Sequence, residues 1–543
     1  MYALHPGLRD GERALARAHR SFLNGQEHRI HKDLAPMPTS RSAIVVGHAD
    51  FRLAAFQAPL IFALRSAGYH VTVPLPMAWG AAADFYRSLG ANGVLATDDL
   101  PRRASRKMIR DLCAAGHDPH SLLSLTYRDI PIGRFVASTL MRRHRLGSID
   151  PGNPELANSV ARQIATSVKA VDLANAMVER VRPDLVCFYD RGYTPDGELF
   201  EVALAAGAKA ITLNAAHRSG LIISKRYHAG NKDRHFGAPS AETWNVLRSM
   251  AWTDRDWQAL RDEVESSYKS GTWYDEVGTQ FGRTPQSGSA LLSALGLDPA
   301  RKTAVLFPHL FWDATFFWGD DLFADYRDWF CQVLRAAAAN DRLNWIVKMH
   351  PATVVKDRRD GYGGEPSEMV AMRETLGELP PHIAFLPPDS PVSTLSLFEI
   401  MDYCLTVRGT VGIEAAMYGI PVLTAGTGRY DGYGFTVDSN SRADYLERLR
   451  SLETIVPLTE AQTELARRYA YGLFMLRPLE FQTMRFRYRQ DESATLELAL
   501  DIPEGRGIAT MPDIARLAEW LTGDDDDLFG IPLVTVPVSS VAM

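Results

Sequence analysis

The stretch LTVRGTVGIEAAMYGIPVLTA at 405–425 constrains the fold more than any other part of the chain. An apolar strand at 405–407 runs into the small-residue turn Gly409-Thr410-Val411-Gly412. A helix follows, with Glu414 expected in its first turn, and closes at Gly419 before Pro421 opens the next strand. Two parallel strands joined by a helix form a βαβ unit, the repeating element of a parallel α/β sheet. Glycines let a backbone come close to a ligand, and the free N–H groups of a helix start favour an anion. A Rossmann-like half-domain holds a nucleotide phosphate in this way, at the carboxyl ends of its strands. The spacing is not G-x-G-x-x-G, so it is no dinucleotide fingerprint. Helices in βαβ units also end on Gly and precede Pro for purely structural reasons.

The alternation continues on both sides. Strands are expected at 42–48, 70–74, 184–189 and 208–213, with helices at 51–67, 159–180 and 197–206. Residues 78–180 read as mostly helical. A second set of strands is expected at 303–307, 344–349, 384–386, 403–407 and 421–424. The expected fold is α/β: two Rossmann-like domains facing a cleft, a GT-B-like architecture, with helical extensions at both ends. The expected divisions are 1–40 (an isolated amphipathic helix and a proline-containing tail), 41–235 (first Rossmann-like domain), 236–295 (helical linker), 296–455 (second Rossmann-like domain) and 456–543 (helical extension and tail).

Four separated motifs carry a family resemblance. Lys348-Met349-His350-Pro351 ends one strand, and Pro387-Pro388-Asp389-Ser390 leads into a short helix at 393–399. Thr410-Val411-Gly412-Ile413-Glu414 follows, and then the glycine-rich run 426–438. In this order they resemble the capsule polysaccharide biosynthesis proteins, GT-B glycosyltransferases related to bacterial Kdo transferases. The resemblance spans roughly 185–450. It implies a nucleotide-sugar donor in the second domain and an acceptor in the first.

Composition narrows the class. The 543 residues are 46% apolar and 23% charged, ordinary for a globular protein with several cores. A net charge of −6 argues against a nucleic-acid partner. The four cysteines, Cys113, Cys187, Cys331 and Cys404, are scattered, and three sit in apolar runs that suit buried free thiols in a reducing cytosol. No apolar run reaches the ~18 residues that span a bilayer. The expected location is cytoplasmic, and the basic stretches 102–110 and 141–145 offer a peripheral membrane contact or, more simply, solvated helix faces. The acidic run Asp524–Asp527 reads as a solvated tail.

Donor-side candidates cluster at strand ends. His350, with Pro351 at a helix start, can donate to a phosphate or a sugar hydroxyl, and Lys348 precedes it. Glu414 can accept from ribose, Thr410 can donate to phosphate, and Gly412 lets the backbone approach. Arg408 and Arg429 can neutralise a diphosphate or an acidic sugar. Tyr430 and Thr436 lie on a loop expected to cover the donor. The resemblance adds His309, Trp312 and Asp313, in an aromatic loop that either stacks on a ligand or lines the cleft. On the acceptor side, Asp190 and Glu198 are candidate bases, with His217 third. No metal-ligand spacing is present, so no metal and no cofactor beyond the sugar nucleotide is expected.

These features point to an inverting, metal-independent glycosyltransferase. Its partners would be a nucleotide-sugar donor, with a tilt towards a CMP-activated acidic sugar, and a surface polysaccharide or glycolipid acceptor. The alternatives are a UDP-sugar 2-epimerase, a CDP-polyol phosphotransferase, and a non-catalytic scaffold that binds polysaccharide or a partner.

Overall fold

The computed structural model describes residues 6–34, 40–280, 282–313, 315–489 and 496–531. Six strands come first: β1 (Arg41–Val45), β2 (Tyr69–Leu75), β3 (Gly93–Ala96), β4 (Leu185–Phe188), β5 (Lys209–Ala215) and β6 (Leu221–Tyr227). Five follow the linker: β7 (Thr303–Leu306), β8 (Asn344–Lys348), β9 (Ile383–Leu386), β10 (Tyr403–Thr406) and β11 (Val422–Thr424). Three short ones close the chain: β12 (Leu479–Glu480), β13 (Met484–Tyr488) and β14 (Leu496–Leu500).

The first sheet has the order β12-β6-β5-β4-β1-β2-β3, parallel from β3 to β5 and antiparallel at β6 and β12. The second has the order β11-β10-β7-β8-β9 and is parallel throughout. β7, β8 and β10 are buried at every residue, as parallel strands covered on both faces must be. Alternate residues feed opposite cores. Val305, Ile346 and Cys404 pack with Ile413 and Ala466 on one face. Ala304, Leu306 and Val347 pack with Trp329 and Leu334 on the other. This is the expected α/β arrangement of two Rossmann-like domains facing a cleft.

In each sheet the chain reverses direction once. It runs β1-β2-β3 outward and returns to β4 beside β1, and it runs β7-β8-β9 outward and returns to β10 beside β7. Ligands of open α/β sheets sit in the crevice at such a reversal, outside the carboxyl ends of the strands. Both reversals open on the space between the sheets.

Several elements differ from the sequence reading. β3 falls within a stretch expected to be helical, since four residues after a glycine turn give too short a period to detect. β6 was likewise missed, although its seven residues are all buried. The N-terminal segment is not an isolated helix: the helices Pro6–Leu23 and Glu27–Asp33 put Phe22, Leu23 and Ile30 into the first core. The C-terminal extension, expected to be helical with a polar hairpin-like interruption, carries the β13–β14 hairpin there; what the sequence did not suggest is its return to the first sheet through β12.

The acidic run is not solvated throughout. Asp524 is exposed, but Asp527 is sealed beneath β6, with Lys225 Nζ and Arg477 Nη2 each 2.9 Å from Oδ1 and the Ser240 amide donating to Oδ2. Burial pushes this carboxyl's pKa up, but Arg477 and Lys225 outweigh it and hold the group below its ordinary value. The C-terminal tail is thereby pinned to the first domain. Asp527→Ala, which strands two buried cations, should lower stability in urea by roughly 3–5 kcal/mol, while the exposed Asp524→Ala should leave it unchanged.

Candidate functional site

At the second reversal, β7 ends in Phe307-Pro308-His309 and β10 delivers Gly409 and Thr410. Between them lies a cavity of about 170 Å³. His309, Lys348, His350, Pro351, Thr410 and Glu414 line it, all expected from sequence. The linker adds Tyr268, Trp273, Tyr274 and Gln280, which sequence reasoning passed over as a connection. The signal was there in GTWYDEVGTQ: aromatics in an otherwise polar loop need something to pack on.

Thr410 starts an eight-residue helix, Thr410–Met417. The amides of Thr410 and Val411 have no protein acceptor among the described residues, so the helix presents free donors to the cavity. The Thr410 hydroxyl accepts from Arg429 Nη2 at 2.8 Å and is also hydrogen-bonded to the Tyr274 phenol. Gly412 must be glycine, because the Tyr430 hydroxyl sits where a Cβ would go and donates to the Gly409 carbonyl at 2.8 Å. Glu414 is not in the first turn, as the sequence suggested, but the fifth residue of the helix. There it is buried and accepts from Tyr268 Oη and from Trp273 Nε1 (3.2 Å). Burial raises its pKa to about 7 against those two donors.

Both imidazoles of the pocket are neutral. Burial drives His309 well below its ordinary value, helped by Arg408, and takes His350 to about 4, helped by Lys356. His309 Nε2 accepts the Arg408 amide at 3.2 Å, and His350 Nδ1 accepts the Ala352 amide at 3.2 Å. Each ring therefore carries its proton on the other nitrogen and keeps one N–H to donate. Lys348 is the unbalanced group. It is 3% exposed, and its Nζ has no partner among the described residues. Burial, and then Arg283, lower its pKa to about 7, with Asp389 opposing.

Other donor-side expectations fall elsewhere. Trp312 is buried with the Arg145 guanidinium 3.6 Å above its ring, away from the cavity. Arg408 is buried against Asp321 (2.5 Å) and Tyr326, so it is a structural cation rather than a pocket one. Tyr430 lies under the Gly409 turn, and Thr436 donates to Asp438 at 2.7 Å; the glycine-rich loop packs on its own domain and, through Gly428 and Tyr433, on His235, Arg234 and Pro239. In the stretch 141–145 only Arg143 and His144 are exposed; Arg145 is buried against Asp357 and Asp360, and Arg142 turns into the cleft.

The first reversal forms the opposite wall of a larger cleft of about 620 Å³. Asp190 lies there after β4, with Oδ1 accepting the Arg191 and Gly192 amides. Asp313 lies there too, rather than in the smaller pocket. It takes Tyr193 Oη at 3.0 Å, pairs with Lys356 and stands 3.5 Å from Arg142. Phe317 and Trp318 supply aromatic faces. Glu198 and His217 do not reach the cleft. Glu198 is fully buried behind it and accepts from Ser167 and from Thr194 (2.8 Å). His217 is buried against Trp273 and Phe474, with its Nε2 2.9 Å from Glu263. Among the described residues no group of His, Cys, Asp and Glu could hold a metal ion, and no helix is long and apolar enough to cross a membrane.

No family model matches the chain, and no curated protein does. Solved structures share its general form loosely. The β-Kdo 2,4-transferase of KpsC from Thermosulfurimonas dismutans is 14% identical, with 53% of this chain and 79% of that one covered at a TM-score of 0.33. The S. aureus MnaA–UDP complex is 12% identical over 80% of this chain and 93% of that one, at 0.30. The glycotransferase of kitacinnamycin is 16% identical over 81% and 97%, at 0.23. Likenesses so loose bear on no residue and no reaction of this chain.

Glu198, buried behind the cleft, yields a test of how burial shapes this domain's electrostatics. Burial raises its pKa from 4.5 to about 7. The native state therefore keeps a proton that the unfolded chain has lost, and stability falls as pH climbs through that window. Glu198→Gln should match the parent near pH 5, gain on it by about 1.4 kcal/mol per unit at most up to pH 7, and level off above.

Proposed function

We propose that the protein is a glycosyltransferase that moves a sugar from a nucleotide donor to a carbohydrate acceptor. The observation that carries this is the pairing of two anion-seeking features across one small pocket. The free amides of Thr410 and Val411 face one group, and the unpartnered Lys348 ammonium stands ready for another. A sugar nucleotide has two such groups: two phosphates, or one phosphate and a sugar carboxylate. The second arrangement is that of a CMP-activated acidic sugar, the donor we favour. His309 and His350 donate neutral N–H groups, and Glu414 accepts from hydroxyls.

The adjoining cleft supports transfer over isomerisation. An epimerase needs room for one substrate, whereas a space of about 620 Å³ with Phe317 and Trp318 on its wall suits a second sugar stacked on aromatic faces. Helix amides and buried cations can stabilise a departing phosphate by several kcal/mol, so the reaction as proposed needs no cofactor beyond the donor. The exposed basic stretch 102–110 would suit an acceptor carried on an anionic lipid.

Screening CMP, CDP, UDP, GDP and ADP by thermal shift tests the donor pocket. A nucleotide that binds the native state raises its apparent stability by mass action. CMP or a pyrimidine diphosphate should raise the midpoint, and Lys348→Met should abolish most of that shift. Anion binding raises the pKa of Lys348 above its free value of about 7, so the complex holds a proton that the free protein loses. Affinity measured by calorimetry should therefore fall up to tenfold per pH unit above 7, and this fall should vanish in Lys348→Met. No shift with any nucleotide would overturn the reading.

A further inference from the structure

We infer that Glu276, a residue of the linker, is the base that takes the proton from the acceptor hydroxyl, an inference that rests on the transferase reading above. Five carboxylates line the cleft: Asp50, Asp190, Glu276, Asp313 and Asp360. Four are held by cations. Asp50 lies 2.8 Å from Arg52, Asp190 3.6 Å from Arg142, Asp313 3.5 Å from Arg142, and Asp360 2.8 Å from Arg359. Charges and hydrogen bonds hold Asp50, Asp313 and Asp360 below the ordinary carboxylate range, and Asp190 has Arg142 beside it and two backbone amides on Oδ1. Among the described residues Glu276 has no cation at ion-pair distance. Its partner is the neutral Tyr189 hydroxyl, 3.1 Å from Oε1. Oε2 has no protein partner and is not sealed from the cleft.

Position agrees with charge. Glu276 sits in the short turn Asp275–Val277. Tyr274, two residues before Glu276, lines the proposed nucleotide pocket; Val277, the next residue, lines both pocket and cleft. The carboxylate therefore stands where the donor sugar and the acceptor would meet. The turn is bracketed by two left-handed residues, Tyr274 (φ 49°) and Gly278 (φ 62°). A non-glycine residue in that region costs about 1–3 kcal/mol and persists only where the surroundings enforce it. Here the His217 carbonyl accepts the Tyr274 amide at 2.7 Å, giving His217 a positioning role in place of a chemical one.

The surroundings raise the carboxylate's basicity. Burial pushes its pKa up, and Asp275 adds to this; Tyr189, Lys356 and Arg359 pull the other way, and the Tyr488 phenol also faces it. The net direction is upward, towards the pH at which a general base works best. In the step, the acceptor O–H proton passes to Glu276 while the acceptor oxygen bonds the anomeric carbon. The bond from that carbon to the phosphate oxygen breaks, and the nucleotide leaves with the electron pair.

The test measures nucleotide release from a panel of CMP-, UDP- and GDP-sugars, with water or an added methyl glycoside taking the sugar. Glu276→Gln should lower release a hundredfold or more while keeping the parent's thermal shift with nucleotide, and Asp190→Asn should stay within tenfold. Release unchanged in Glu276→Gln overturns the assignment, as does a loss confined to Asp190→Asn. A second measurement needs no turnover. The carbon-13 carboxyl signal that disappears in Glu276→Gln should titrate above the ordinary glutamate value of about 4.3, and a midpoint at or below it overturns the assignment. Absence of any nucleotide shift in the parent strikes instead at the donor pocket, and the carboxyl titration still decides whether Glu276 can hold a proton near neutral pH.

Discussion

Asp313 fastens the two domains to each other across the cleft, and both sites depend on it. It belongs to the loop after β7, yet it takes a hydrogen bond from Tyr193 and the charge of Arg142 from the first domain, together with Lys356 from its own. Burial alone would raise its pKa, but Lys356 and Arg142 hold it far below the ordinary value. Taking one partner from such a cluster leaves an uncompensated buried charge, which is far more damaging than losing an exposed pair. The loop after β7 is thereby tied across the cleft to Tyr193 and Arg142 of the first domain.

The linker completes what the sheets begin. Residues 268–280 pass between the domains and contribute one wall of the smaller pocket and a carboxylate of the cleft. Tyr268 and Trp273 spend their polar atoms on Glu414, which anchors the linker to the helix that carries the free amides. The anchor holds whether Glu414 is ionised or not, because both partners are donors and a carboxyl group keeps an acceptor in either state. Bending between the domains would therefore carry Glu276 along with the helix start, and closure on a donor would have to be taken up elsewhere than in this stretch.

What could be read from the sequence was what local periodicity encodes. The strand–turn–helix–strand unit at 405–425, the strand ending at Lys348-Met349-His350-Pro351 and the α/β alternation follow from burial on both faces of a parallel sheet, which writes continuous apolar runs into the chain. β3 and β6 escaped because one is short and the other carries Ser224, Lys225 and Arg226, whose polarity reads as exposed. In the fold those three are satisfied by distant partners: the Thr212 carbonyl, Asp527, and the carbonyls of Trp520 and Gly523. Asp527 hid for the same reason, since a run of four acids looks solvated until a tertiary cation is known. Arg408, Tyr430 and Thr436 sat at strand-end positions that usually face ligand, but their polar atoms were already committed to Asp321, the Gly409 carbonyl and Asp438.

The same commitment separates the chemical groups of this protein from its structural ones. Buried polar atoms are nearly always paired, so an unpaired one in a cavity is the informative exception. Lys348 and the two helix amides meet that description in the pocket, and Glu276 comes closest to it in the cleft, with one neutral partner and one open oxygen. A charge whose partner is already in place gains little by meeting a substrate, because the new contact only replaces an old one. A group left without a partner gains the whole interaction, and gains more where burial lowers the local dielectric. On the transferase reading proposed above, the pocket thereby keeps its unspent electrostatics for a phosphate and the cleft its unspent basicity for a hydroxyl.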